Sequence, residues 1–238
     1  MNQLKNILLI LLFFPVLLYC QGNNNYQVIR QNIAETYGLK KFYTVKTIRF
    51  TFNVNLKGKH IKRTWSWEPK TNNVSYKGND PNGKLIDYKY NRKNMEKSQD
   101  ELTRQIDKWF VNDQYWLLFP LHIEWDKNIK IIKQDKSQSP IEHSNMNRIV
   151  IKYPANIGYT PGDVFEVFYD NNFLIKEWIY RAGGSKDPTR LTNWTKYSTV
   201  GPLLISLEHG GKDNFKQWFV DVSVQLDDNT WHNAKVIN

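Results

Sequence analysis

The chain is poor in the residues from which common catalytic and metal centres are built. Cys20 is its only cysteine, so a disulfide within the folded part and a cysteine-rich zinc site are both excluded. The five histidines, His60, His122, His143, His209 and His232, do not stand at metal-ligand spacing. There is no His-Glu-x-x-His motif and no calcium loop of alternating aspartates. No metal and no cofactor is expected. A Gly-x-Ser-x-Gly elbow is also missing, which removes the usual serine-hydrolase layout. Gly183-Gly184-Ser185-Lys186 lacks both the spacing of a phosphate loop and a helix to follow it, and it reads as a loop between strands. Asp227-Asp228-Asn229 reads as a hairpin turn.

Long apolar runs are missing too, with one exception near the start. Lys5 precedes an apolar stretch from Ile7 to Tyr19, after which Cys20 gives way to Gln21-Gly22-Asn23-Asn24-Asn25. A single positive charge, a short apolar core and an abrupt polar switch make residues 1–20 a signal peptide, because a spanning helix takes about 20 apolar residues. Two fates fit its end. Leu17-Leu18-Tyr19-Cys20 resembles a bacterial lipobox at Leu17 and Cys20 but not at Tyr19, which would leave Cys20 as an acylated first residue. Cleavage after Cys20 would instead release a soluble chain starting at Gln21. Either way the protein is expected to be exported, periplasmic or outer-membrane-associated, with residues 21–238 forming one domain.

The net charge is +10, but the lysines and arginines are scattered and not gathered into one arm or helix. That pattern argues against a nucleic-acid partner. It suits peripheral or lipid-anchored contact with anionic headgroups.

Ile29, Ile33 and Tyr37 fall at helical spacing and Gly38 follows as a stop. From Lys46 to Leu56 the period becomes two, with Ile48, Phe50, Phe52, Val54 and Leu56 alternating with polar residues. Similar strands are expected over Ile61–Trp67, Val74–Tyr76, Leu85–Tyr90, Ile129–Ile132, Arg148–Tyr153, Val164–Asp170, Phe173–Arg181, Trp194–Leu207 and Phe215–Leu226. In the last of these, Trp218, Val220, Val222, Val224 and Leu226 form the apolar side. A second helix is expected over Leu102–Phe110, opened by a Ser98/Glu101 capping box. Tyr115–Pro120 reads as a short buried helix or turn. The expected fold is therefore mainly β with minor α: one large curved antiparallel sheet, an open half β-barrel, wrapping an N-terminal helix and an inserted helix.

This order of elements, together with Trp116-Leu117-Leu118-Phe119-Pro120, Tyr159-Thr160-Pro161-Gly162-Asp163, Glu177-Trp178 and Asn193-Trp194, resembles the bacterial lipoprotein-carrier superfamily of LolA/LolB-like half-barrels. The likeness runs through uncharacterised secreted bacterial proteins. It implies a concave apolar face that holds acyl chains, and so a hydrophobic small molecule or lipid as partner.

Aromatic residues are abundant: nine Trp, thirteen Tyr and twelve Phe. Trp65, Trp67, Trp109, Trp116, Phe119, Trp178 and Trp218 are the candidate ligand-binding rings, although ordinary core packing would explain them as well. The competing reading is an envelope hydrolase. His122-Ile123-Glu124-Trp125-Asp126, taken as a strand, places His122, Glu124 and Asp126 on one face, where they could serve as an acid/base set or as the wet side of a half-buried strand. The wet-side account predicts that all three are solvent-exposed and without a second polar cluster in reach. A structural or glycan-binding envelope protein is the third alternative, and the balance weighs against an enzyme.

Fractionation of cells producing the full chain is expected to find it outside the cytoplasm, lacking residues 1–19 or 1–20. Intact chain in the cytosol would overturn the export reading. If Cys20 is acylated, Cys20→Ser should release the protein from the membrane.

Overall fold

The structure, a computed structural model, describes residues 16–56, 58–97, 100–156, 159, 161–211 and 214–237. Most of the expected signal peptide, the side chain of Cys20, and Ser98 lie outside the described residues.

Helix α1 (Val16–Thr36) buries Ile29, Ile33 and Ala34 along one stripe. It stops at Gly38, whose φ is +96° and whose absent side chain lets Pro202 approach; a Cβ there would sit 2.3 Å from the Pro202 carbonyl oxygen. A tight turn over Leu39–Thr44 then feeds the strands. These are β1 (Val45–Leu56), β2 (Lys59–Glu68), β3 (Asn73–Asn79) and β4 (Leu85–Asn91). Helix α2 (Glu101–Trp125) follows, and then β5 (Lys130–Gln138), β6 (Asn145–Lys152), β7 (Val164–Tyr169), β8 (Ile175–Arg181) and β9 (Arg190–Asn193). The chain closes with β10 (Thr195–Val200), β11 (Leu203–Gly210), β12 (Lys216–Leu226), β13 (Trp231–Asn233) and β14 (Lys235–Val236).

The fold is mainly β, a large antiparallel arrangement that curves without closing into a barrel. Strands run in the order β14-β10-β11-β12-β1-β2-β3-β4, with β13 on β12, and then β5-β6-β7-β8-β9. The ladder is not continuous as expected but divides between β9 and β10. There Trp194 turns its N–H back to the Lys176 carbonyl at 2.8 Å. The Asn193 side-chain carbonyl accepts from the Gly210 N–H at 2.8 Å, so a side chain bridges the break.

Three expectations need correction. Trp194–Leu207 is not one strand, because Gly201 and Pro202 reverse it between β10 and β11. Helix α2 is capped by Asp100, whose carboxylate accepts from the N–H groups of Leu102 and Thr103. And α2 does not stop at Phe110 but runs through Pro120 to Trp125, with non-helical angles at Leu118. Pro120 costs the helix one hydrogen bond, about 3 kcal/mol. The stripe Ile106, Phe110, Leu117 and Leu121, all at most 2% exposed, continues at helical spacing across it. Burying such side chains is worth about 1.5–3 kcal/mol each, enough to carry the helix past the proline.

Strand β12 contains a bulge. Asp221 adopts φ +55°, and the register with β1 slips between Arg49 and Thr51. The extra residue reverses which side chains face inward. Before it, Gln217 and Phe219 are buried while Val220 is exposed; after it, Val222 and Val224 are buried. Trp218 consequently lies on the outer face, stacked on His60 with centroids 5.3 Å apart.

Helix α2 is fastened to the sheet by Asp113, a fully buried carboxylate. It accepts from both Nε and Nη2 of Arg63 at 2.6 Å and from the Trp65 indole at 2.9 Å. Arg63→Met should cost about 3–5 kcal/mol in urea unfolding, because it strands a buried carboxylate. The double variant Arg63→Met/Asp113→Leu should recover much of that loss. A single-variant cost under about 1 kcal/mol would mean that this pair does not anchor the helix.

Candidate functional site

Lys108, Val111, Asn112, Tyr115 and Trp116 recur at steps of three and four along α2, and so share one face of the helix. That face does not meet the sheet directly. Between them lies a cavity of about 640 Å³, within the usual range of about 300–1,000 Å³ for ligand sites. Phe52 and Val54 of β1 with Ile61 of β2 form one wall. Phe165, Trp178 and Tyr180 of β7 and β8 form the other, and Phe215 closes an end.

Four cations border this space. Arg63 is paired with Asp113, and Arg92 donates to the buried Asp107 at 2.7 Å. Arg190 lies over the Phe215 ring at 4.2 Å, and Lys108 is exposed. Asp107 also accepts from the hydroxyls of Tyr90 and Tyr159 at 2.9 and 2.7 Å. Burial and the neighbouring Asp107 push the Tyr159 hydroxyl up to about 12. A larger depression of about 1140 Å³ lies on the other side of the sheet. It is walled chiefly by outward-facing hydroxyls and charges such as Thr51, Lys62, Thr64 and Lys77, a wet surface with little to hold an apolar molecule.

Of the seven candidate rings, Trp116 and Trp178 border the cavity and meet edge to face, 4.8 Å between centroids. Phe119 is fully buried behind Trp178 at 4.9 Å. Trp65 and Trp67 both pack on Phe110 beneath the helix, at 5.4 and 5.7 Å. Trp109 lies beside Tyr76, and Trp218 is on the outer face. The structure therefore brings two of the seven to the cavity.

His122, Glu124 and Asp126 are not on a strand. His122 and Asp126 sit one turn apart at the end of α2, while Glu124 turns to α1, where it accepts from Gln27 at 2.9 Å. The expectation that all three are solvent-exposed and isolated is also wrong, since each is half-buried. His122 Nδ1 stands 3.4 Å from Asp126, and its Nε2 is 2.6 Å from the Gln114 amide nitrogen. The Tyr115 ring stacks on the imidazole at 3.9 Å. Hydroxyls of Tyr115 and Tyr153 both donate to Asp126. Burial alone would raise the Asp126 pKa, but the bond and charge of His122 and the two hydroxyls outweigh it and hold the carboxyl below 3.8. Burial pushes both tyrosines well above their ordinary range. His122, Asp126, Tyr115 and Tyr153 are thus joined to one another and to Gln114, Glu124 turns away to α1, and no serine, threonine or cysteine nucleophile belongs to the set. Among the described residues, no group of three or more His, Cys, Asp or Glu side chains is placed to hold a metal.

Sequence reasoning missed His209 and Gln217. Both are fully buried on the inner face, opposite each other in the β11–β12 register. Nothing in the alternation marks them, because the bulge at Asp221 decides which way Gln217 points.

No protein-family model matches the chain, and no curated protein matches it. Among solved structures it is similar to a DUF1329 family protein from Desulfovibrio piger, with a TM-score of 0.42 and 4% identity, covering 86% of this chain and 94% of that one. It is also similar to an outer membrane lipoprotein-sorting protein domain from Vibrio parahaemolyticus, with a TM-score of 0.43 and 7% identity, covering 84% of this chain and 92% of that one.

Because the folded-state pKa of Asp126 is depressed, its contribution to stability is present above 3.8 and lost as the pH falls below that value. Asp126→Asn is expected to cost about 1–3 kcal/mol at neutral pH. It should also flatten the acid side of the stability profile, measured by denaturant unfolding across pH. An unchanged profile would remove the cluster from the list of structural supports.

Proposed function

We propose that the protein is an exported binding protein of the cell envelope that holds an apolar, lipid-like molecule between α2 and the sheet. The carrying observation is the 640 Å³ cavity, set in a protein whose inner face is otherwise packed, chiefly with rings and aliphatic side chains. Its walls offer Phe52, Val54, Phe165, Trp178 and Trp116 to one occupant. Each Å² of apolar surface removed from water contributes about 25 cal/mol. Capture and release need no covalent step. Attachment to the membrane, through acylated Cys20 or through the basic surface, would put the cavity where such molecules are found.

The hydrolase alternative gains no support from His122 and Asp126, whose bonds are satisfied internally and whose surroundings supply no nucleophile. A glycan platform needs bare ring faces, whereas Trp65, Phe119 and Trp178 are at most 3% exposed.

Val111 sits on the cavity face of α2 and is half-buried, so Val111→Trp should fill the space from the helix side. Wild-type protein is expected to bind N-phenylnaphthylamine with a rise in fluorescence. The variant should bind it at least about tenfold more weakly, a loss of 1.4 kcal/mol, while melting at a similar temperature. Equal binding by both proteins, or no binding by the wild type, would overturn the proposal. Mass spectrometry of protein purified from its native envelope should find a co-purifying lipid.

A further inference from the structure

Among the described residues, nine buried side-chain nitrogen or oxygen atoms have no hydrogen-bond partner. Seven of the nine belong to five residues: Trp178, Thr192, Trp194, His209 and Gln217. These residues come from β8, β9, β11, β12 and the break between β9 and β10, but face one place. His209 and Gln217 are directly opposed across β11 and β12, and Trp178 and Thr192 across β8 and β9. The Trp194 ring meets the His209 ring edge to face at 4.4 Å. The bond from Gly210 N–H to Asn193 holds β9 against β11, which closes the group.

Unpartnered polar atoms in a dry core call for an explanation, and a bound group that they receive is one. An apolar side chain at Gln217 or His209 would avoid the desolvation cost and pack as well. The patch also adjoins the cavity. Trp178 belongs to both, and Val54 of the cavity wall is the β1 partner of Gln217. Trp116 stands between, with its ring 5.3 Å from His209 and its other side on the cavity. Pro120 has no N–H to give the Trp116 carbonyl, and α2 departs from helical geometry at Leu118. The partition ring therefore rides on the turn of α2 whose backbone is least constrained.

The chemistry of the patch is specific. Two indole N–H groups and the Gln217 amide donate, the Gln217 carbonyl accepts, and the Thr192 hydroxyl does either. Burial pushes the His209 pKa down to about 3, against contacts with the backbone of Ser206 and Asn193 that favour the charged ring but fall short of full hydrogen-bond geometry. The ring is therefore neutral and offers one donor and one acceptor. No member carries a charge, so an ion placed among them would lose its hydration without gaining a counter-charge. A carboxylate or phosphate is a poor fit; a group that both donates and accepts without charge is a good one.

We infer that this patch is the polar subsite of the cavity and takes the uncharged hydroxyl, ester or amide end of a ligand whose apolar part lies along α2, an inference that rests on the binding function proposed above. The occupant is a neutral amphiphile, such as a long-chain alcohol or a monoacylglycerol, and not a fatty-acid anion. Trp116 must turn aside for the head to reach His209 and Gln217.

Displacement of N-phenylnaphthylamine from the purified protein by decane, decanol and decanoate separates the two claims. Wild type should prefer decanol to decanoate by about tenfold or more, the cost of leaving a charge unpaired. In Gln217→Leu and His209→Phe the advantage of decanol over decane should fall about tenfold, with decane affinity kept and melting temperature held or raised. If the probe does not bind wild type, the binding function itself fails. If the probe and decane bind but both substitutions leave the decanol preference intact, only the polar subsite fails. Should either variant fail to fold, a crystal structure of wild type soaked with decanol decides. A hydroxyl within about 3.2 Å of His209 or Gln217 supports the subsite. Ordered water on those groups, with the alcohol elsewhere, overturns it.

Discussion

The carboxylate of Asp113 sits where no solvent reaches it, and the position of α2 depends on the donors that meet it there. The inner face of the sheet is apolar over most of its width, and apolar contact has no preferred direction. A helix laid on such a surface is free to roll or slide. The two-pronged bond from Arg63 and the Trp65 indole remove that freedom, since a guanidinium fork accepts a carboxylate in one orientation. Six residues earlier on the same helix, Asp107 takes Arg92, Tyr90 and Tyr159 and ties α2 to the end of β4. With both carboxylates held, Val111, Tyr115 and Trp116 have to face the cavity, and Ile106, Phe110 and Leu117 have to face the core.

How far the residues alone announce this arrangement depends on where each element gets its conformation. Strand β1 is legible because local alternation and tertiary burial agree: Ile48, Phe50, Phe52 and Val54 all end up inside. The stripe of Ile29 and Ile33 is legible for the same reason. Strand β12 misleads. Its alternation favours Trp218 and Val220 as inward residues, yet Asp221 takes a left-handed conformation that aspartate tolerates better than most residues, and the parity reverses there. Trp218 leaves the core and Gln217 enters it. No local pattern could have shown that, because a bulge is paid for by pairing with β1 and not by its own sequence. The end of α2 misleads differently. His122 to Asp126 satisfies a period of two, and also a helical spacing that places His122 over Asp126. Pro120 nearby favours the first reading. Burial of Leu117, Leu121 and Ile123 selects the second.

That choice changes what the polar residues of the segment do. On a strand, His122, Glu124 and Asp126 would share a surface and could act on a substrate together. On a helix they part: Glu124 goes to α1 and Asp126 closes a ring of donors with His122, Tyr115 and Tyr153. Tyr115 and Tyr153 also border the cavity. The network therefore stiffens the wall beyond the proline and hands the cavity the apolar faces of two tyrosines while turning their hydroxyls away. The polar set that looked catalytic in the sequence acts as a brace for the cavity wall.

The same logic bears on selectivity. At the α2 side, Arg63 and Arg92 already have carboxylates, so they offer a ligand little electrostatic gain unless Asp113 or Asp107 is left bare, at a cost larger than the gain. At the far end, His209, Gln217, Thr192 and the indole nitrogens of Trp178 and Trp194 are polar, neutral and without full hydrogen bonds. Under the proposed binding function, a ligand entering this space meets the compensated Arg63 and Arg92 and the exposed Lys108 on one side, rings along its length and uncompensated dipoles at the end. Dipoles in an apolar enclosure act strongly on a neutral hydrogen-bonding group and cannot repay the dehydration of an ion. Under that proposal, apolar area sets how tightly a molecule is held, and the dipoles set which end goes in first.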